Sequence, residues 1–452
     1  MDQTIEQLSS YAVSLEYADI PEEAVHECKR RVIDTLGCAM GAFAAGPSKI
    51  ARAVARRSVG NPPARSLGTQ EKSSPELAAF ANGVMMRYLD FNDQYRKVKG
   101  GGHPSDTIAA VLAMADALQA DGKKVITAIT LAYDVFCNFA EVLHLREKGL
   151  DNATYVAFGS AVGAGKILRL SKEAMGHALA LAIIPNLALQ ETRRGELSMW
   201  KGCAAANASR NGVFAALLAQ EGLTGPPKAI EGDNGLWNVT GTFGWQPFGG
   251  RGGLFRITQT NLKYFPSEYH SQAAIWAALE LRGKIKIEDI ESITIDTYWM
   301  AWSEIGSEPE KWHPTTRETA DHSLPYIVAA ALVDGKIEPA TFSEERIRDP
   351  NLHELMRKVT VRENPEFTKQ YPNLVPCQME IITRTGERNL ARIHYPRGHA
   401  KNPMTDDEVE DKFRRLCQGL LTSSQTGAIL ESLWALEQVE DISQMLALFA
   451  VP

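Results

Sequence analysis

The sequence predicts a mainly α protein with a smaller α+β domain, arranged as a large all-helical domain and an α+β lid. Two observations predict it. Up to about residue 265, apolar side chains recur at three- and four-residue spacing. Beyond that point, short alternating or β-branched runs take over, and helical spacing returns after about residue 400. At 452 residues, 44% hydrophobic and 23% charged, the chain is long enough to bury two cores. The expected organisation is a helical domain over 1–265, a lid over 266–400 and a return to the helical domain over 401–452.

From Pro21 the run PEEAVHECKRRVIDTLGCAMGAFA places Val25, Cys28, Val32, Ile33, Leu36 and Met40 on one helical face. Proline stands at its start and acids fill its first turn, as a helix N-terminus favours. The same spacing predicts helices over 74–89, 105–120, 123–147, 153–169, 172–183 and 198–219. Several are rich in Ala and Gly, which permits close helix packing. In the lid, one helix over 270–281 precedes ESITIDTYW, RKVTVREN, CQMEIITRTG and RNLARIHYP, which read as strands of a small antiparallel sheet. A helix around 320–335 interrupts them. Thr405 and Glu408 form a capping box that opens a helix to Cys417, and 424–449 reads helical again.

The formal net charge of −7 argues against nucleic-acid binding, which needs a basic face, yet leaves room for a local basic pocket that takes an anion. Six dispersed cysteines without a CxxC read as free thiols in a reducing compartment. An iron–sulfur cluster would have to be assembled from distant thiolates. The N-terminal segment has neither the basic start nor the apolar core of a signal peptide, and no uncharged apolar run reaches a bilayer's width. A cytoplasmic location without membrane contact is the expectation. The glycine-rich pieces FGGRGGLF and GSAVGAGKIL match neither dinucleotide nor P-loop patterns, and the sequence contains no HExxH and no GxSxG. No metal and no cofactor are expected.

The densest chemistry lies in YLDFNDQYRKVKGGGHPSD, which gathers Asp90, Asp93, Arg96, Lys97, Lys99, His103, Ser105 and Asp106 between two apolar helices. Carboxylates beside a histidine can supply a base, an acid and an orienting hydrogen bond. The same residues also read as a solvated loop in which Asp93 and Ser105 cap helices.

Six stretches in order, VIDTLGCAMGA, FANGVMMRYLDFND with GGHPSD, GELSMWKGCAAANASRNG, LKYFPSEYHSQAAI, TADHSLPYIVAAALVDG and YPRGHAKNPMTDDEVEDKF, closely resemble the MmgE/PrpD family. The resemblance covers nearly the whole chain and looks nearest to the bacterial dehydratase-like branch. It implies a helical domain built from both ends of the chain, an α+β lid, an active site between them and a homodimer. It implies a cofactor-independent lyase that dehydrates a small tricarboxylate such as 2-methylcitrate or citrate. Alternatives are epimerisation of an iminodisuccinate-like dicarboxylate, decarboxylation of cis-aconitate, or a dimeric helical binding scaffold without activity.

Carried over by motif, the family's pocket falls on Asp90, His103, Lys201, Lys263 and Tyr326, with His270 and His322 beside them. Gln94 stands where relatives carry a small polar residue, and Asn152 where the dehydratase branch has a histidine. An amide cannot relay a proton near neutral pH. Arg193 and Arg194, just before the lysine motif, suit a carboxylate clamp. The expected chemistry has Asp90 and His103 moving protons while Lys201, Lys263 and an arginine hold carboxylates. Without the resemblance, Lys201 and Lys263 read as surface or loop charges, Tyr326 as core packing, and His270 and His322 as helix caps.

Overall fold

The computed structural model describes residues 1–97 and 100–452, so Lys99 of the polar segment lies outside the described residues. Helix Glu22–Gly41 buries Val25, Cys28, Val32, Ile33, Leu36 and Met40, the face its spacing predicts. Around it, residues from 5–262 and 404–449 share one apolar core. Helices Ala153–Ile167 and Ala204–Gln220 pack at its centre. A Cβ on Gly212 would lie 2.5 Å from Ser160 Cβ and 2.7 Å from the Ala157 carbonyl, so a side chain there would force the two helices apart. Helix Gly122–Val142 is long and apolar enough to cross a bilayer, yet 89% of its most apolar window is buried inside the protein.

Several helices begin or end differently from their periodicity. The one expected over 123–147 stops at Val142, and Leu145–Lys148 forms a 3-10 turn closed by Gly149 in the left-handed region at φ 69°. The expected 105–120 helix opens as a 3-10 turn, Pro104–Thr107, before Ile108–Ala117, because the Asp93 carboxylate takes the Ser105 N–H. The 198–219 segment likewise divides into Met199–Gly202 and Ala204–Gln220. Helices Gln3–Ser14 and Gly46–Ala55 add to those the spacing predicts.

The chain returns through helix Asp406–Cys417, whose N-cap Thr405 and Glu408 complete the capping box. Phe413 packs over Gly37, and Lys412 reaches inward to the Asp34 carboxylate at 2.6 Å. Lys412 also donates to the carbonyls of Phe91 and Lys263, tying three distant segments together. The remaining 424–449 stretch is broken into Ser423–Trp434, Leu436–Gln438 and Ile442–Ala447.

A second apolar core draws its residues from 265–391. There, helices Gln272–Arg282 and Leu324–Asp334 accompany a four-stranded sheet ordered Val359–Glu363, Ile290–Thr297, Cys377–Thr383, Arg388–Ile393. The expectation of a purely antiparallel sheet is corrected. Ile290–Thr297 and Val359–Glu363 run parallel, with Ile293 opposite Val359, while the other two pairings are antiparallel. The long helical connection between these strands carries the chain back to the starting end, as a parallel pair requires.

Candidate active site

Helix Pro75–Tyr88 ends just before Asp90, which adopts a left-handed backbone conformation at φ 50°. Aspartate tolerates that region better than most residues, and the turn sends its carboxylate back into the protein. There it meets cations from three segments. Arg87 donates to Oδ1, Lys263 Nζ lies 3.0 Å from the same oxygen, and Lys201 Nζ lies 3.6 Å from Oδ2. All four side chains are buried. Burial alone would raise the Asp90 carboxyl, but Arg87, Lys201 and Lys263 outweigh it and hold the group well below its ordinary range. Asp90 is therefore a fixed anion, poorly suited to accept or give a proton.

Lys201 also approaches Asp321 at 3.2 Å, and Arg317 approaches the same carboxylate at 3.0 Å. Against the burial that would raise it, Lys201 and His322 hold Asp321 down to about 2. Asp321 in turn lies 2.5 Å from His322 Nδ1, which fixes that ring with its Nε2 3.9 Å from Asp90. Burial and Lys201 lower His322 to about 3, so its ring is neutral. A neutral imidazole whose Nδ1–H points at a carboxylate carries its lone pair on Nε2.

His103 is neutral as well, lowered by burial and by Arg87. Its Nδ1 lies 2.7 Å from the Asp93 carbonyl and its Nε2 2.9 Å from Arg87 Nη2, so the Nε2 lone pair already accepts a hydrogen bond. Gly102 brings this residue in closely, since a Cβ there would meet Phe136 Cζ at 2.8 Å and Asn152 Cβ at 3.0 Å. Asp93 and Ser105 bond each other, Oδ1 accepting the Ser105 N–H at 3.1 Å. Asn92 bridges Ser105 and Asp106, and burial raises Asp106 to about 7.

A cleft opens above these groups, between the helical core and the lid. Its walls include Arg87, Arg96, Arg146 and Arg193, with Asp90, His103, Asn152, Glu268, Glu304, His322 and Tyr371. Arg193 is braced by Asp151 at 2.6 Å and lies 3.4 Å from Asn152 Oδ1. Arg146 pairs with Glu304, and burial with the neighbouring Arg96 and Arg194 lowers it to about 10. Gln94 is fully buried. With its amide nitrogen toward the Gly102 carbonyl and His103 and its oxygen toward Arg96, it positions both side chains.

Of the residues suggested by sequence, Asp90, His103, His322, Asn152 and Arg193 line the cleft, and Lys201 and Lys263 lie beneath it against Asp90. His270 stands behind Glu268, its Nδ1 bonded to the Tyr298 hydroxyl. Two do not join them. Tyr326 is buried in the lid core, where its hydroxyl donates to the Thr341 carbonyl at 2.6 Å, because its helix turns that face toward Phe342. Arg194 points outward to Glu308 at 3.2 Å, its side chain 47% exposed.

Sequence reasoning missed Arg87, Arg146, Glu268, Glu304, Asp321 and Tyr371. Two carried a local signal: Arg87 precedes Asp90 by one helical turn, and Asp321 directly precedes His322. Glu268 stands within the LKYFPSEYHSQAAI stretch beside His270, while Arg146, Glu304 and Tyr371 come from segments with no motif of their own.

Comparison with known proteins agrees with this architecture. The chain is 29% identical to 2-methylcitrate dehydratase of Salmonella typhimurium, covering 88% of this chain and 86% of that protein. It is 28% identical to the Escherichia coli 2-methylcitrate dehydratase, covering 95% and 93%. It is 24% identical to human cis-aconitate decarboxylase, covering 97% and 92%. The MmgE/PrpD N-terminal domain matches residues 6–246 and the MmgE/PrpD C-terminal domain residues 265–438, so the chain belongs to the MmgE/PrpD family.

Proposed function

We propose that this protein is a hydro-lyase that removes water from a small tricarboxylate of the citrate or 2-methylcitrate type without a cofactor. The observation that carries the reading is the convergence of Arg96, Arg146 and Arg193 on the same cleft as a neutral histidine fixed by a carboxylate. Guanidinium groups match carboxylates in a planar, two-point fashion. Three around one cleft suit a substrate with several carboxylates. The named relatives, dehydratases and a decarboxylase, support the same class.

A hydrogen on carbon beside a carboxylate is very weakly acidic, so its removal needs a placed base and positive charge on the dianion that forms. His322 is the base in this reading, with Asp321 holding its tautomer and stabilising the imidazolium that results. Bound carboxylates add negative charge beside the ring and raise its basicity. Arg87, Lys201 and Lys263 exceed the single charge of Asp90 and supply the compensating field. Asp90 keeps that cationic cluster assembled, a role different from the proton transfer its motif suggests, and His103 holds Arg87.

Cytoplasmic placement and homodimeric assembly belong to the same proposal, the first supported by six free cysteines and the second by the family resemblance. A second reading, epimerisation of an iminodisuccinate-like dicarboxylate, is favoured by one observation. Asn152, which cannot give a proton, occupies the cleft where the dehydratase branch has a histidine. The test is incubation in heavy water with 2-methylcitrate, citrate, cis-aconitate and iminodisuccinate, followed by NMR. Loss of water from a tricarboxylate supports the first reading, and exchange on iminodisuccinate alone supports the second. No exchange and no product from any of the four overturns both.

A further inference from the structure

A water-eliminating site needs two proton-transfer groups, and the lid supplies the second. Among the described carboxylates that line the cleft, Asp90 is locked by three cations, Asp151 braces Arg193, and Glu304 pairs with Arg146. Glu268 differs. It is 4% exposed, and its Oε2 accepts the His270 N–H at 2.5 Å. Its Oε1 is held by a single cation, Arg96 at 3.5 Å, where Asp90 has three. Burial raises this carboxyl above its ordinary range despite Arg96 and Lys263.

Two further observations fix its use. Among the described residues, His270 Nε2 is buried without a hydrogen-bond partner and lies 3.9 Å from Glu268 Oε1. Burial, Arg96 and Arg146 keep this ring uncharged. An orphaned polar atom of that kind is costly unless a ligand satisfies it. The Glu268 backbone N–H donates to the Asp321 carbonyl at 2.9 Å, so a single hydrogen bond sets the spacing between Glu268 and the Asp321–His322 pair.

The geometry points to Glu268 as the general acid that protonates the departing hydroxyl, with His270 Nε2 bonding the same leaving group. The inference rests on the proposed elimination. In that step His322 Nε2 takes the carbon proton, and the C–H electron pair becomes the new C=C bond. The C–O bond breaks onto oxygen, which takes the Glu268 proton and leaves as water. Glu268 ends as a carboxylate and His322 as imidazolium, and solvent exchange restores both. The pair explains how a dehydration proceeds with Asn152 in place of a histidine.

The test compares E268Q and E268D with the wild-type chain. Glutamine keeps an oxygen for the His270 N–H, so the fold is retained and thermal melting verifies it. In E268Q, kcat for elimination falls about 10²- to 10⁴-fold, the range for one general acid, with KM within a few-fold. Substrate α-proton exchange in heavy water, which needs only the base, persists, and E268D recovers part of kcat. Independently of any substrate, the wild-type minus E268Q infrared difference spectrum near neutral pH shows one protonated-carboxyl band, the Asp106 contribution cancelling between the two. Wild-type elimination rates in E268Q, or identical carboxyl spectra, overturn the acid role alone. Absence of turnover by wild type on every tricarboxylate overturns the reaction itself, a different result.

Discussion

Lys263 donates from one Nζ to both the backbone carbonyl of Asp90, at 2.7 Å, and its carboxylate, at 3.0 Å. The residue sits where the chain passes from the helical core to the lid, so the contact joins the two parts at the floor of the cleft. Burial, opposed by Asp90, lowers this lysine to about 8. Activity that depends on its charge therefore declines as pH rises through about 8. Stability moves the other way. Between about 8 and the unfolded value of about 10.4, the unfolded chain holds the extra proton, so this residue's contribution to stability grows with pH. A kcat/KM profile that falls above about pH 8 while the melting temperature does not fall through the same window is the expected outcome; a flat profile rejects a charged Lys263.

Removing that cation altogether is costly. K263A removes a charge-assisted bond to Asp90 while Arg87 and Lys201 remain, a loss of about 1.5–3 kcal/mol. Chemical denaturation measures the loss, and turnover disappears with it. A variant of wild-type stability would show that Arg87 and Lys201 suffice to neutralise Asp90.

The arginines separate by position. Loss of a charge-assisted bond to a substrate carboxylate costs about 1.5–3 kcal/mol, roughly 10- to 150-fold in binding. R193A raises KM by that order, whereas R194A, whose side chain faces Glu308, leaves KM within a few-fold of wild type. Steady-state kinetics decide it, and equal effects of the two substitutions would place Arg194 in the cleft as well.

Tyr326 gives a contrast between stability and catalysis. Y326F removes a buried hydrogen bond to Thr341 and lowers stability by about 1 kcal/mol, with kcat unchanged. A large fall in kcat at full stability would return this tyrosine to the active site.

Chelators provide the last check. Asp90, Asp321 and His322 lie close enough together to hold a cation, as do Glu268, His270 and Glu304. The first group is already neutralised by Arg87, Lys201 and Lys263, and Arg96 and Arg146 sit on the second. Protein dialysed against EDTA keeps its turnover. Loss of activity that added iron or manganese restores would overturn the metal-free reading.

The sequence by itself determined the helical faces, the Thr405 cap, the four strands and the motifs that reach the cleft, because each depends on neighbours within a few positions. Asp93 and Ser105 do not cap helices as local residues; Asp93 takes the Ser105 N–H from twelve positions away and the Ser105 hydroxyl accepts from Asn92. The asparagine at 152 and the carboxylate at 90 were legible as residues, but their roles were not. Only the tertiary structure decided that Asp90 is a pinned anion, because Lys201, Lys263 and Asp90 lie far apart along the chain and meet only in the folded protein. It also reversed one strand pairing, sent Tyr326 and Arg194 out of the cleft, and brought in Glu268. Electrostatic environment is a property of what surrounds a group in space, and spacing along a chain does not carry it.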